Sequence, residues 1–121
     1  MNRKELSEYI KSQYNIISDR PWAKYPDFEV FRHEDNGKWF ALVMDVPKEK
    51  LVPEENGNMD IVNVKCDPVM IGSLIDNRGF FGAYHMNKTN WISVALDGTA
   101  DDEKVKMLVD LSFEMTKNKK K

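Results

Sequence analysis

Residues 78–91 hold the densest set of side chains in this chain that can do chemistry. They include Arg78, His85 and Lys88, no acid, and the rings of Phe80, Phe81, Tyr84 and Trp91. Basic groups interleaved with aromatics suit phosphate contact combined with base stacking. Asn87 and Asn90 add amides, which offer both donor and acceptor and can read base edges. Upstream, the alternation of residues 60–66 puts Asn63 and Lys65 on the outward side of a strand, where they extend the same surface. The competing reading is structural: Phe80, Phe81 and Tyr84 fill core, while His85 and Asn87 cap a turn.

Covalent catalysis would pair Cys66 as nucleophile with His85 as base. The same alternation, however, places Cys66 inward with Val62 and Val64, where a cysteine behaves as a small hydrophobe. No third orienting group or oxyanion loop is evident. We therefore assign no catalytic residue and read the chain as a non-enzyme. A metal site needs converging ligands, and the chain has two histidines, one cysteine and no His-x-x-x-His spacing. Glu54, Glu55, Asp101, Asp102 and Glu103 read as loop and helix-start charges. No metal and no cofactor is assigned.

The length of 121 residues fits one domain, 1–121. A formal charge of −2 and a pI near 5.7 argue against strong non-specific DNA binding, which draws its affinity from Lys and Arg, but they leave room for a local basic face. The single Cys66 allows no internal disulfide, so a reducing, cytoplasmic compartment is expected. No apolar run approaches the ~20 residues of a membrane span, and residues 1–5 lead into no signal sequence.

The elements that must position the candidate residues follow from periodicity and punctuation. A helix is predicted over 3–14, with Leu6, Tyr9, Ile10 and Gln13/Tyr14 on one stripe and Asn2 and Glu5 as a capping pair. Residues 15–27 form a proline-punctuated connector whose Trp22 and Tyr25 cover the core edge. Residues 28–33 and 38–45 read as a hairpin turning at Asn36-Gly37, with His33 a solvated strand end. Residues 47–59 are polar and read as a long loop. After the strand at 60–66, Asp67 and Pro68 start a helix with Val69, Met70, Leu74 and Ile75 inward, ending at 77–79. A strand over 91–96 turns at Asp97-Gly98. Thr99, with Asp102, then caps a last helix over 100–116. Val105, Leu108, Val109, Ser112 and Phe113 form its stripe, widened by Leu111 and Met115. Residues 117–121 are a basic, frayed tail. Hairpin-linked strands with interspersed helices give an α+β fold, an antiparallel sheet with helices packed on one side.

The runs Lys65-Cys66-Asp67-Pro68 and Gly82-Ala83-Tyr84-His85-Met86-Asn87-Lys88, then Trp91 and Leu96-Asp97-Gly98, resemble the MmcQ/YjbR family of small bacterial proteins. Tyr25-Pro26 and the segment 38–42 support the resemblance, which spans essentially the whole chain. It implies a CyaY-like, "double wing" fold. It also implies DNA binding, on the strength of an analogy of fold with some transcription factors. Two departures stand out: Asn90 occupies a position commonly held by His before the Trp, and the loop at 47–59 is longer than the family's turn. The expectation is a DNA-binding or regulatory module whose site comprises Asn63, Lys65, Arg78, Tyr84, His85, Asn87, Lys88, Asn90 and Trp91. Double-stranded DNA is the expected partner. The alternative is a protein or small ligand in the same groove, and no membrane partner is expected.

Overall fold

A computed structural model describes residues 1–117. The expected tail at 118–121 lies outside the described residues; Lys117 itself follows the last helix and ion-pairs with Glu114 at 3.8 Å. Five strands form one antiparallel sheet: β1 (Glu29–Arg32), β2 (Trp39–Pro47), β3 (Asn58–Lys65), β4 (Phe80–Gly82) and β5 (Trp91–Ala95). Their spatial order is β1-β2-β3-β5-β4. Three helices, α1 (Arg3–Tyr14), α2 (Pro68–Leu74) and α3 (Asp102–Thr116), pack on one face, the α+β arrangement expected from the sequence.

Local chemistry fixes the helix starts. Asn2 accepts from the Glu5 amide, and the Glu5 carboxylate accepts from the Asn2 amide, closing a capping box on α1. Such a cap contributes about 1 kcal/mol. The Asp67 carboxylate accepts from the Val69 amide at 2.8 Å, with Pro68 at the first helical position of α2. At α3 the expected cap is displaced: Asp101, not Thr99, accepts from the Lys104 amide. Thr99 instead donates to Asp97 through both its amide and its hydroxyl.

The helix side of the sheet buries Phe31, Val43, Val62, Val64, Ile92 and Val94 against Leu6 and Ile10 of α1, Ile71 and Leu74 of α2, and Val105, Leu108 and Val109 of α3. The stripe expected for α2 is corrected here. Val69 and Ile75 are exposed, because so short a helix turns only Ile71 and Leu74 fully inward, with Met70 packed half-buried against the same core. Leu111 and Met115 likewise face outward from α3, and Thr116 closes its inner stripe.

His33 is not solvated. It is 5 % exposed, and its Nε2 lies 2.8 Å from Thr116 Oγ1 and 3.1 Å from the Phe113 carbonyl. The end of α3 comes down beside the β1–β2 loop and buries His33. That loop spans residues 34–37, as the strand bounds imply, and of its turn pair only Gly37 has positive φ.

The polar insertion is shorter and more structured than expected. Pro47 and Asn58 pair in the β2–β3 ladder, leaving residues 48–57 as the loop. A 3₁₀ turn at Lys48–Lys50, a Lys48 amide bond to the Gly57 carbonyl (2.8 Å) and a Lys48–Glu55 ion pair (3.3 Å) tie it together.

The second face of the sheet carries its own core. Val30, Leu42, Met44, Val46, Met59, Ile61 and Ala95 lie under Trp22, Phe28, Trp39, Phe81, Tyr84 and Met86. Connectors, not helices, cover this side. Tyr25, expected at the core edge with Trp22, is exposed and stacks on Phe28 at 4.9 Å.

Candidate nucleic-acid interface

The candidate loop leaves β4 at Gly82 and returns at Trp91. Antiparallel pairing brings three strand ends together here: β3 finishes at Lys65, β5 opens opposite it at Trp91, and β2 opens at Trp39. Backbone hydrogen bonds pin the return of the loop. The Asn87 carbonyl accepts from the Trp91 amide at 3.0 Å, and the Asn90 carbonyl accepts from the Cys66 amide at 2.8 Å.

Alternation inside the loop sorts its side chains. Tyr84 and Met86 turn down onto the second core, and His85 between them is exposed. His85 adopts a left-handed backbone (φ 59°), a conformation histidine visits more readily than most residues. Its ring meets Tyr84 edge-on at 4.1 Å between centroids. Lys88 is exposed, and Lys65, Asn90 and Trp91 are half-buried. Among the described residues neither Lys65 nor Lys88 forms an ion pair. No acid occurs between Asn77 and Leu96.

Two expected site residues, Asn63 and Arg78, have other places, and a third, Asn87, is partly engaged within the loop. Asn63 is fully buried; it faces the second core with Ile61, and burial of this polar group is tolerated because its amide is bonded. Arg78 lies at the far end of the β4–β5 hairpin, beside Asp97 and Thr99, separated from the loop by the length of β4. Asn87 stays exposed, but its amide oxygen accepts from the Thr89 amide at 2.8 Å in a local turn. The surface thus comprises Lys65, His85, Lys88, Asn90 and Trp91, with Tyr84 as its floor. Trp39, at the start of β2, adjoins it. Trp39 stands edge-on to Trp22 at 5.5 Å, and only the β2–β3 register shows that it ends beside Lys65.

Cys66 is 2 % exposed on the helix side, opposite the face onto which the loop folds. Burial pushes its thiol up, reinforced by the neighbouring Asp67 carboxylate, so the thiolate is disfavoured. Among the described residues no group of three or more His, Cys, Asp or Glu side chains could hold a metal ion. No helix among them is long and apolar enough to cross a membrane.

The chain matches the YjbR family over residues 11–115. It belongs to that family. It is 36 % identical over 117 residues to the uncharacterized protein YyaQ of Bacillus subtilis (strain 168), an alignment covering 97 % of this chain and 99 % of YyaQ. A crystal structure of a Pseudomonas syringae protein superimposes with a TM-score of 0.93 at 41 % identity, covering 97 % of this chain and all of that one. The Deinococcus radiodurans protein DR2400, at 20 % identity and a TM-score of 0.68 over 94 % of this chain and 77 % of its own, shares the fold.

Proposed function

We propose that this YjbR protein is a non-catalytic bacterial DNA-binding module, working in the cytoplasm through the surface of Lys65, His85, Lys88, Asn90 and Trp91. One observation carries the reading: Lys65 and Lys88, which form no ion pair among the described residues, accompany an exposed histidine and a half-buried tryptophan, and the loop that carries His85, Lys88 and Trp91 holds no acid. Lys65 and Lys88 contact phosphates, and the loop presents His85 and Asn90 towards a groove. A side-chain amide there can donate or accept. With so few phosphate contacts and a net charge of −2, binding is salt-sensitive and in the micromolar range, about 10⁻⁴–10⁻⁶ M. The buried, disfavoured thiolate of Cys66 supports the non-catalytic part.

The test compares wild type with Lys88→Glu on a fluorescent double-stranded oligonucleotide. Charge reversal is expected to weaken binding at least about tenfold with an unchanged melting temperature, since Lys88 is exposed and forms no ion pair among the described residues. Equal affinity of the two proteins would remove the site assignment.

A further inference from the structure

At the opposite end of the β4–β5 hairpin from the loop lies a cleft of about 600 Å³, walled by the β2–β3 loop on one side and the α2–β4 turn on the other. That volume falls within the range of small-molecule sites, roughly 300–1,000 Å³. Its apolar surface comes from Val52, Met59, Ile75 and Phe81. Ile75 is 44 % exposed and Phe81 is half-buried, so apolar surface faces the cleft uncovered.

Arg78 stands in this wall. It forms no ion pair among the described residues. The turn that carries it is fastened on both sides. The Asn77 amide donates to the Leu74 carbonyl (2.8 Å) and the Phe80 amide to the Asn77 carbonyl (3.2 Å), while the Gly79 carbonyl accepts from the Ala95 amide (2.8 Å). Gly79 sits at φ +90°, packed so closely that a Cβ would lie 2.7 Å from the Ala100 nitrogen. The arginine is therefore held on a rigid support with its fork of donors free, an arrangement suited to a planar or tetrahedral anion.

The acids of the cleft are accounted for one by one. Glu55 pairs with Lys48 at 3.3 Å. Burial opposes ionisation of Asp97, but bonds from the Thr99 hydroxyl and amide outweigh it and hold its pKa below the usual range, so Asp97 is an occupied anion. Asp76, exposed in the lining, has no ion partner among the described residues and opposes an incoming anion.

We propose that this cleft binds a small organic anion with a flat apolar body, its carboxylate or phosphate on Arg78 and its body on Phe81, Met59 and Ile75. The site is separate from the DNA surface and does not depend on it.

Amide spectra of the full ¹⁵N-labelled protein, titrated with phenylacetate, phenyl phosphate and neutral phenylacetamide, test this. At least one anion is expected to shift the resonances of residues 48, 78, 81 and 99 at millimolar concentration, at least tenfold more tightly than phenylacetamide. Which anion wins distinguishes a carboxylate from a phosphate ligand. Arg78→Gln should lose tenfold or more for the anion and leave phenylacetamide unchanged; Asp76→Asn should tighten the anion. No shift in the cleft with either anion, or equal binding of anion and amide, would overturn the proposal. So would anion binding that survives Arg78→Gln in a folded variant.

Discussion

Asn63 on β3 and Ser93 on β5 face each other across the sheet, both fully buried, and the Ser93 hydroxyl donates to the Asn63 amide oxygen. The pair grips one further residue. The Tyr84 amide donates to Ser93 Oγ at 2.9 Å, and Asn63 Nδ2 donates to the Tyr84 carbonyl at 3.2 Å. A closed ring of hydrogen bonds therefore anchors the root of the candidate loop. Asn63, expected at the surface, positions that loop from below.

Breaking this ring should cost stability. Ser93→Ala leaves the Tyr84 amide unpaired, and Asn63→Leu removes the partner of the Tyr84 carbonyl; each is expected to cost about 1–3 kcal/mol. Because the two side chains share one network, the double variant should depart from additivity by at least about 0.5 kcal/mol. Urea denaturation of the four proteins measures this. Additive losses would show that the residues act independently.

The contrast with Asn63 explains what the sequence conveys. Starts of helices were legible at Asn2, Asp67 and Pro68 because a cap involves neighbours within three residues. Burial of Asn63 was not, because its justification is Ser93, thirty positions away. His33 was misplaced for the same reason: its partners are on α3. Periodicity misassigned Val69 and Ile75 because α2 is too short to define a stripe, and it missed β4, whose three residues show no alternation. Of the candidate surface, the loop and Lys65 were legible as a cluster. Arg78 was grouped with them because closeness in sequence concealed that β4 carries the two to opposite ends.

Alkaline titration should reveal how α1 is fastened to α3. Tyr9 and Tyr14 both donate to the Asp110 carboxylate, at 2.8 Å and 2.5 Å. Burial and then these bonds raise both phenols, Tyr9 to about 12 and Tyr14 further. A raised pKa stabilises the fold fully below the unfolded value near 10, and that stability is lost as pH rises through the folded value. Stability should therefore fall from about pH 10 upward, and less steeply in a Tyr9→Phe/Tyr14→Phe protein. Denaturation midpoints between pH 8 and 11.5 check the slope; a flat profile in the wild type would contradict it.

Cys66 should be inert in the folded protein. With 2 % exposure and a thiol raised by burial, it is expected to react with an aromatic disulfide reagent at least about a hundredfold more slowly at pH 8 than in urea. Fast labelling of the native protein, slowed by His85→Ala, would revive a nucleophilic role.

Two glycines make opposite predictions. Gly79→Ala meets the Ala100 backbone and a φ of +90°, and should destabilise by about 2 kcal/mol or more. Gly72→Ala, inside α2 with nothing within 4 Å, should stabilise by about 0.5–1 kcal/mol. Thermal melts of both variants give the sign directly, and a neutral Gly79→Ala would mean that the Arg78 turn is not held as described.

The most direct test of the DNA-binding account is the salt dependence of affinity for a short duplex. Each phosphate contact contributes a slope of about −0.9 in log K against log salt. The two contacts of Lys65 and Lys88 predict a wild-type slope of about −2, and Lys65→Gln and Lys88→Gln should each reduce it by about 1. Lys24→Gln, exposed on the connector before β1, should leave it unchanged. No binding at low salt, or the same slope in all four proteins, would contradict the account.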